Sequence, residues 1–121
     1  MLLQTNSYIK ILDIVEGMDQ GPIEGTLKYA DGSKYEGQLK NYMFDGFGIY
    51  YRPDGSKRYE GEFKTGNYHG KGIWYREDGT KWYEGEIVIG LRNGSGIEYA
   101  KDGTKLYEGG YKNNCRHGKG T

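Results

Sequence analysis

The side chains best suited to chemistry in this sequence are two histidines, one cysteine and a column of glutamates. His69 and His117 could act as bases or metal ligands, Cys115 could supply a nucleophile, and Glu36, Glu60, Glu84 and Glu108 could pair for acid-base work. Their spacing argues against each use. His69 and His117 are 48 residues apart, and the residues at the intervening and preceding steps of 24 are Asn93 and Asp45. A position that takes Asp, His or Asn reads as a small polar turn group and not as a ligand. Cys115 and His117 could share a strand face, but no acid accompanies them and no metal-ligand spacing surrounds them. The glutamates recur at a constant interval, whereas an active site is one place, so they read as a solvated face paired with Lys71, Lys57 or Arg58. Asp54-Gly55, Asp78-Gly79 and Asp102-Gly103 lack the further acids of a calcium loop. Gly70-Lys71-Gly72 runs into Ile73-Trp74-Tyr75 with no third glycine, so it is not a dinucleotide fingerprint. The sequence thus predicts no catalytic, cofactor-binding or metal-binding residue.

The interval itself is the dominant signal. Tyr-Glu-Gly begins at Tyr35, Tyr59, Tyr83 and Tyr107, and Gly-x-Gly stands at Gly46/Gly48, Gly70/Gly72, Gly94/Gly96 and Gly118/Gly120. Both series advance by 24 residues, so two independent markers share one period, the mark of a repeat architecture. Tyr35, Gly37, Gly46, Gly48, Tyr59, Gly61, Gly70, Gly72, Tyr83, Gly85, Gly94, Gly96, Tyr107 and Gly109 are therefore expected to be structural positions.

Each unit reads as two strands. Alternation places Tyr59, Gly61 and Phe63 on one face of the first strand and Glu60, Glu62 and Lys64 on the other. In the second strand Gly72 and Trp74 share a side, opposite Ile73 and Tyr75. Thr65-Gly66-Asn67 closes the hairpin, and Asp-Gly pairs join successive hairpins. The predicted fold is all-β, an elongated single-layer antiparallel meander of stacked β-hairpins. Glycine inside a strand weakens it unless something needs the space. The rings of Tyr59, Phe63 or Trp74 are expected to cover Gly61, Gly70 or Gly72.

Residues 1–24 lack the glycine phase and read as a cap or degenerate repeat, with a strand over Tyr8–Val15, while residues 25–121 form the array. The link from Tyr29 to Tyr35 is two residues shorter than that from Tyr51 to Tyr59, which predicts the tightest turn there. Tyr42 stands where other copies carry Gly66 or Gly90, and a tyrosine scarcely tolerates positive φ, so this first hairpin turn is expected to be built differently. The last copy stops at Gly118-Lys119-Gly120-Thr121, which predicts a final hairpin without most of its second strand.

Tyr59-Glu60-Gly61-Glu62-Phe63 and His69-Gly70-Lys71-Gly72 resemble the MORN (membrane occupation and recognition nexus) repeat, in a unit one residue longer than usual. The resemblance covers the chain from about Gly25 onward. It implies protein-interaction and dimerisation modules of cytoskeletal, ciliary and membrane-junction proteins. The family name also implies contact with acidic phospholipid.

Composition narrows the partners. With 17 basic and 17 acidic residues the formal net charge is zero, and no polybasic run exists to attract nucleic acid. A single cysteine excludes an internal disulfide framework and fits a reducing compartment, so a cytoplasmic protein is expected, to which the resemblance adds an association with cytoskeleton or membrane. The 13 tyrosines and two tryptophans must supply apolar area that aliphatics do not. The functional expectation is a non-catalytic scaffold that presents an aromatic surface to a protein partner, with Tyr50, Tyr51, Trp74, Tyr75, Trp82 and Tyr99 as candidate contacts. Within that set, Tyr50 and Trp74 occupy a position that varies between copies, unlike the recurring tyrosines, and are expected to serve binding more than folding. The alternative is a module for acidic phospholipid, which balanced charge disfavours. Self-association is expected through the C-terminal repeat, near Tyr107–Thr121 and Cys115.

Overall fold

The computed structural model describes residues 10–12 and 23–121. Ten strands follow one another: β1 (Lys10–Leu12), β2 (Ile23–Lys28), β3 (Lys34–Lys40), β4 (Met43–Tyr51), β5 (Lys57–Lys64), β6 (Asn67–Tyr75), β7 (Lys81–Val88), β8 (Leu91–Tyr99), β9 (Lys105–Lys112) and β10 (Cys115–Gly120). They form one antiparallel sheet in chain order, with no helix among the described residues. β2 straddles the boundary drawn at residue 24 and pairs with β3 through Gly25 and Gly37, so the sheet begins before the repeat does. β1 pairs with β2 and falls within the expected strand, whose other residues lie outside those described.

The recurring tyrosines hold this layer together. Tyr35, Tyr59 and Tyr83 are completely buried. Each lies flat over a cross-strand glycine pair on β-strands that face each other, Tyr59 over Gly61 and Gly72. A methyl group added at Gly72 would overlap the Tyr59 ring, and one at Gly61 would meet the backbone of Gly72. The phenol then donates to a backbone carbonyl one turn of the pattern later: Tyr59 to Glu62 at 2.8 Å, Tyr83 to Glu86 at 2.8 Å and Tyr107 to Gly110 at 3.0 Å. Gly70 is not under a ring as expected. The Glu62 side chain occupies that space and accepts from the Lys71 N–H at 3.1 Å, filling a bulge between Gly61 and Phe63. Gln38 and Glu86 do the same for Phe47 and Ser95.

All four hairpin turns are alike, including the first. Asn41-Tyr42, Thr65-Gly66, Ile89-Gly90 and Asn113-Asn114 each place both residues at positive φ, the signature of a type I′ turn. Tyr42 at φ 65° corrects the expectation of a different turn. Register explains why. Lys40 pairs with Met43 just as Lys64 pairs with Asn67, and only a two-residue primed turn matches the strand twist.

The links between hairpins also share one geometry. Tyr29 N–H donates to Ser33 O at 3.0 Å, as Arg52 does to Ser56, Arg76 to Thr80 and Ala100 to Thr104 at 2.8 Å. Asp31, Asp54 and Asp78 accept from the side chain and backbone N–H of the residue two positions on, which holds their carboxyl groups below the usual range. The first link is therefore not the tightest turn. Of the two residues by which it is shorter, one vanishes because Tyr29 makes the turn bond of Arg52 and not of Tyr51, and the other lies in the strands. Lys28 and Leu27 pair without a break with Lys34 and Tyr35, whereas Tyr51 and Tyr50 pair with Lys57 and Tyr59 and leave Arg58 as a bulge. Trp82 and Leu106 are the corresponding extra residues of β7 and β9.

The final hairpin is more complete than expected. β10 pairs with β9 over Cys115–Gly120, and Tyr107 still rests on Gly120. β10 is exposed throughout.

Two substitutions test these packing assignments. Gly72→Val drives a branched side chain into the Tyr59 ring and is expected to destabilise by about 3 kcal/mol or more, whereas Gly66→Asn, at a φ of 85° with open space around it, changes the melt little. Equal melting of both variants would show that Gly72 is not a packing site. Ile89, a β-branched residue at φ 48° and 65 % exposed, is a strained turn residue. Ile89→Asn is expected to raise stability by about 1 kcal/mol; a lowered denaturation midpoint would mean that Ile89 is held by packing instead.

Candidate functional site

The two faces of the sheet differ in kind. On one, every recurring tyrosine carries a second flat group. Phe44 stacks on Tyr35 at 4.0 Å and 10°, and Tyr68 on Tyr59 at 4.1 Å and 18°. In the next two units the stacked group is a guanidinium, Arg92 5.7 Å from Tyr83 and Arg116 4.6 Å from Tyr107. Planar cations suit an aromatic face. Leu39, Phe63, Ile87 and Tyr111 complete the buried row, with Phe63 edge-on to Tyr59 at 5.0 Å.

The third position of this face changes chemistry along the array: Tyr50, Trp74, Glu98. Trp74 is 9 % exposed, stacks on Trp82 at 5.3 Å and 27°, and packs against Tyr83 at 5.5 Å. It is a core residue, so the expectation that it serves binding more than folding is corrected on the folding side: Trp74 lies opposite Tyr59 in register and on the same face. Its indole N–H is buried without a hydrogen-bond partner among the described residues. An unmade bond of that kind costs about 1–3 kcal/mol.

Glu98 stands where Trp74 does, one unit on. It accepts from Tyr111 Oη at 3.0 Å and from Arg116 at 3.0 Å, with Arg92 at 3.9 Å. Burial penalises its charge, but these donors outweigh that and hold the carboxyl below its usual range. The aromatic face is thus apolar in the middle of the array and ionic toward its C-terminal end.

A groove of about 880 Å³ runs over this face where the two tryptophans meet. Its lining includes the rings of Tyr68, Trp74 and Trp82 and the cations Arg52, Arg58, Arg76 and Lys101. Arg52 and Arg76 are fixed by carbonyls of two successive units, Arg52 by Lys57 O and Tyr75 O at 2.8 Å, Arg76 by Lys81 O at 2.7 Å and Tyr99 O at 2.6 Å. Those acceptors are neutral, and the carboxylates acting on the two guanidinium groups are Asp54 near Arg52 and Asp78 near Arg76. Arg58, the bulge residue of β5, is exposed and makes no ion pair among the described residues.

The other face holds Tyr51, Tyr75 and Tyr99 in a repeated cluster. Tyr75 donates to Glu60 at 3.0 Å, Lys57 pairs with the same carboxylate at 3.0 Å, and the Lys57 ammonium lies 5.6 Å from the Tyr75 ring. Lys34, Tyr51 and Glu36 repeat the arrangement, as do Lys81, Tyr99 and Glu84. The partner of the glutamate column is thus the Lys57 position; neither Lys71 nor Arg58 takes part. Exposed pairs of this kind contribute about 0–1 kcal/mol each. Of the six candidates, then, Tyr50, Trp74 and Trp82 share the grooved face, while the phenols of Tyr51, Tyr75 and Tyr99 join the clusters of the opposite one, Tyr75 also bordering the groove. Tyr68, Arg58 and Arg92 escaped the sequence reading. The signal for Arg58 and Trp82 was the one residue by which the unit exceeds the usual length.

The histidine position has a structural explanation. Asp45 accepts from the Thr65 N–H at 3.2 Å and His69 Nδ1 from the Ile89 N–H at 3.4 Å, tying each strand to the turn of the next hairpin. No group of acids, histidines and cysteine able to hold a metal occurs among the described residues.

Burial pushes Tyr29, Tyr75, Tyr83 and Tyr111 from 10.0 up to about 12, aided at Tyr75 and Tyr111 by hydrogen bonds to Glu60 and Glu98. A raised phenol favours the neutral form in the folded state, so its stabilisation is whole below pH 10 and is lost as pH rises toward 12. Ultraviolet titration of the folded protein is expected to ionise these phenols late and together with loss of circular dichroism. A titration matching that of the urea-unfolded chain would refute the burial.

No curated protein matches the sequence. A family model described as MORN repeat matches residues 35–57, 59–81, 83–105 and 107–121, and no helix among the described residues is long and apolar enough to cross a membrane. The matches step over Arg58, Trp82 and Leu106, the bulge residues that follow the links between hairpins. With its hairpins in chain order, a tyrosine over each glycine pair and the family pattern across most of its length, the chain belongs to the MORN repeat family.

Proposed function

We propose that this protein is a non-catalytic interaction module whose grooved aromatic face receives a protein partner. The observation that carries the reading is the Trp74–Trp82 stack flooring a groove on a sheet that has no second layer among the described residues. Tryptophan, tyrosine and arginine are the side chains that dominate interface energetics, and all three meet there. The opposite face spends its tyrosines on Lys57 and Glu60 type clusters, which leaves the groove as the better contact surface. The C-terminal edge adds a second contact, self-association through β10, whose outer edge has no partner strand among the described residues and which carries exposed Cys115.

A photo-crosslinking residue in place of Trp82 is expected to capture a protein partner in cells, while the same residue in place of Ile97, on the other face, captures far less. Crosslinks to lipid alone, with saturable salt-sensitive sedimentation on phosphoinositide vesicles, would replace this reading with the membrane one. For the edge, oxidation is expected to join two chains through Cys115, and sedimentation equilibrium to show dimer. A strict monomer at high concentration without a Cys115 crosslink would refute self-association.

A further inference from the structure

Two of the three residues by which this chain exceeds its family pattern also dress the groove. The family matches end at 57, 81 and 105 and resume at 59, 83 and 107. The residues passed over, Arg58, Trp82 and Leu106, are the bulges at which register slips between β4 and β5, β6 and β7, and β8 and β9. A bulge leaves its extra residue outside the ladder pairing and re-aims its side chain. Arg58 and Trp82 line the groove, and Leu106 stands 53 % exposed at the next bulge. Equivalent positions two strands apart recur about every 9.5 Å, so the three form a row across the sheet: cation, aromatic, aliphatic. The β2–β3 connection lacks the extra residue and keeps the same turn, so folding does not require the bulge.

We infer that Arg58 and Trp82 are the specificity-determining residues of the groove, and that they select an acidic peptide segment bearing an aromatic or aliphatic anchor. This rests on the reading of the groove as a protein-binding site. The anchor lies on Trp82 beside Trp74, where the stack supplies an apolar platform. The carboxylates meet Arg52, Arg58 and Arg76, whose charges the groove offsets only with Glu77 and Asp78. Asp78 in turn lies 4.0 Å from the Lys101 ammonium, which leaves the cations in excess. Arginine forks suit carboxylates geometrically as well as electrostatically.

The test is selection of a displayed random-peptide library on the full chain, on Arg58→Glu and on Trp82→Ala. The unaltered chain is expected to select peptides in which Asp or Glu neighbours an aromatic or large aliphatic residue. Arg58→Glu, at an exposed position, keeps its melt, weakens binding of the selected peptides about tenfold or more and shifts new selections toward Lys and Arg. Trp82→Ala weakens them similarly and loses the anchor preference. Deleting Arg58 gives β4–β5 the register of β2–β3, so that variant is expected to fold and to lose the acidic preference, which separates recognition from stability. Basic or uncharged consensus peptides, or an unchanged consensus on Arg58→Glu, would overturn this inference while leaving a protein-binding groove in place. Failure to select any peptide, with binding only to phosphoinositide vesicles, would overturn both.

Discussion

One contact is repeated until it becomes a fold: a tyrosine ring laid over a pair of cross-strand glycines. A single β-sheet layer normally needs a second layer to bury its apolar face. Here Tyr59 provides that cover from within the sheet, because Gly61 and Gly72 have no side chain to hold the ring away. The hydroxyl, which burial would otherwise leave unsatisfied, finds the Glu62 carbonyl. Full burial of such a ring contributes about 2–3 kcal/mol, several times an exposed ion pair. The decorated opposite face therefore tunes the array more than it holds it.

From that contact the rest follows by layers. A flat ring over glycines offers its outer side to another flat group, and Phe44, Tyr68, Arg92 and Arg116 take that place. Switching from ring to guanidinium lets the third position switch too, from Trp74 to Glu98, since the carboxylate now has Arg92 and Arg116 beside it. The array thus keeps one backbone while its grooved face grades from apolar to ionic. A repeat protein gains local chemistry in this way without a new element.

Surface and scaffold part company at the bulges. The family pattern builds the hairpins, and two of the three added residues, Arg58 and Trp82, line the groove beside Trp74. Because β2 and β3 pair without such a residue, the bulge is an ornament that the scaffold carries and not a support it needs. Arg58 and Trp82 gain freedom from ladder pairing in exchange for a local slip of register.

By itself the sequence determined the repeat, the strand alternation and the identity of the structural tyrosines and glycines, because each depends on spacing within one strand or one unit. The exchange of Asp45, His69 and Asn93 reads as a turn position, which the structure corrects: all three lie within strands β4, β6 and β8, and Asp45 and His69 accept from the turn of the next hairpin. What the tertiary structure decided was cross-strand register. That register places Trp74 opposite Tyr59 and hence in the core, puts Glu62 and not a ring at Gly70, and aligns Tyr42 with Gly66 in one turn type. It also turned an apparent difference in turn length into a bulge at Arg58. The physical reason is that a slip of one residue flips every later side chain to the other face, and backbone pairing between strands sets such slips.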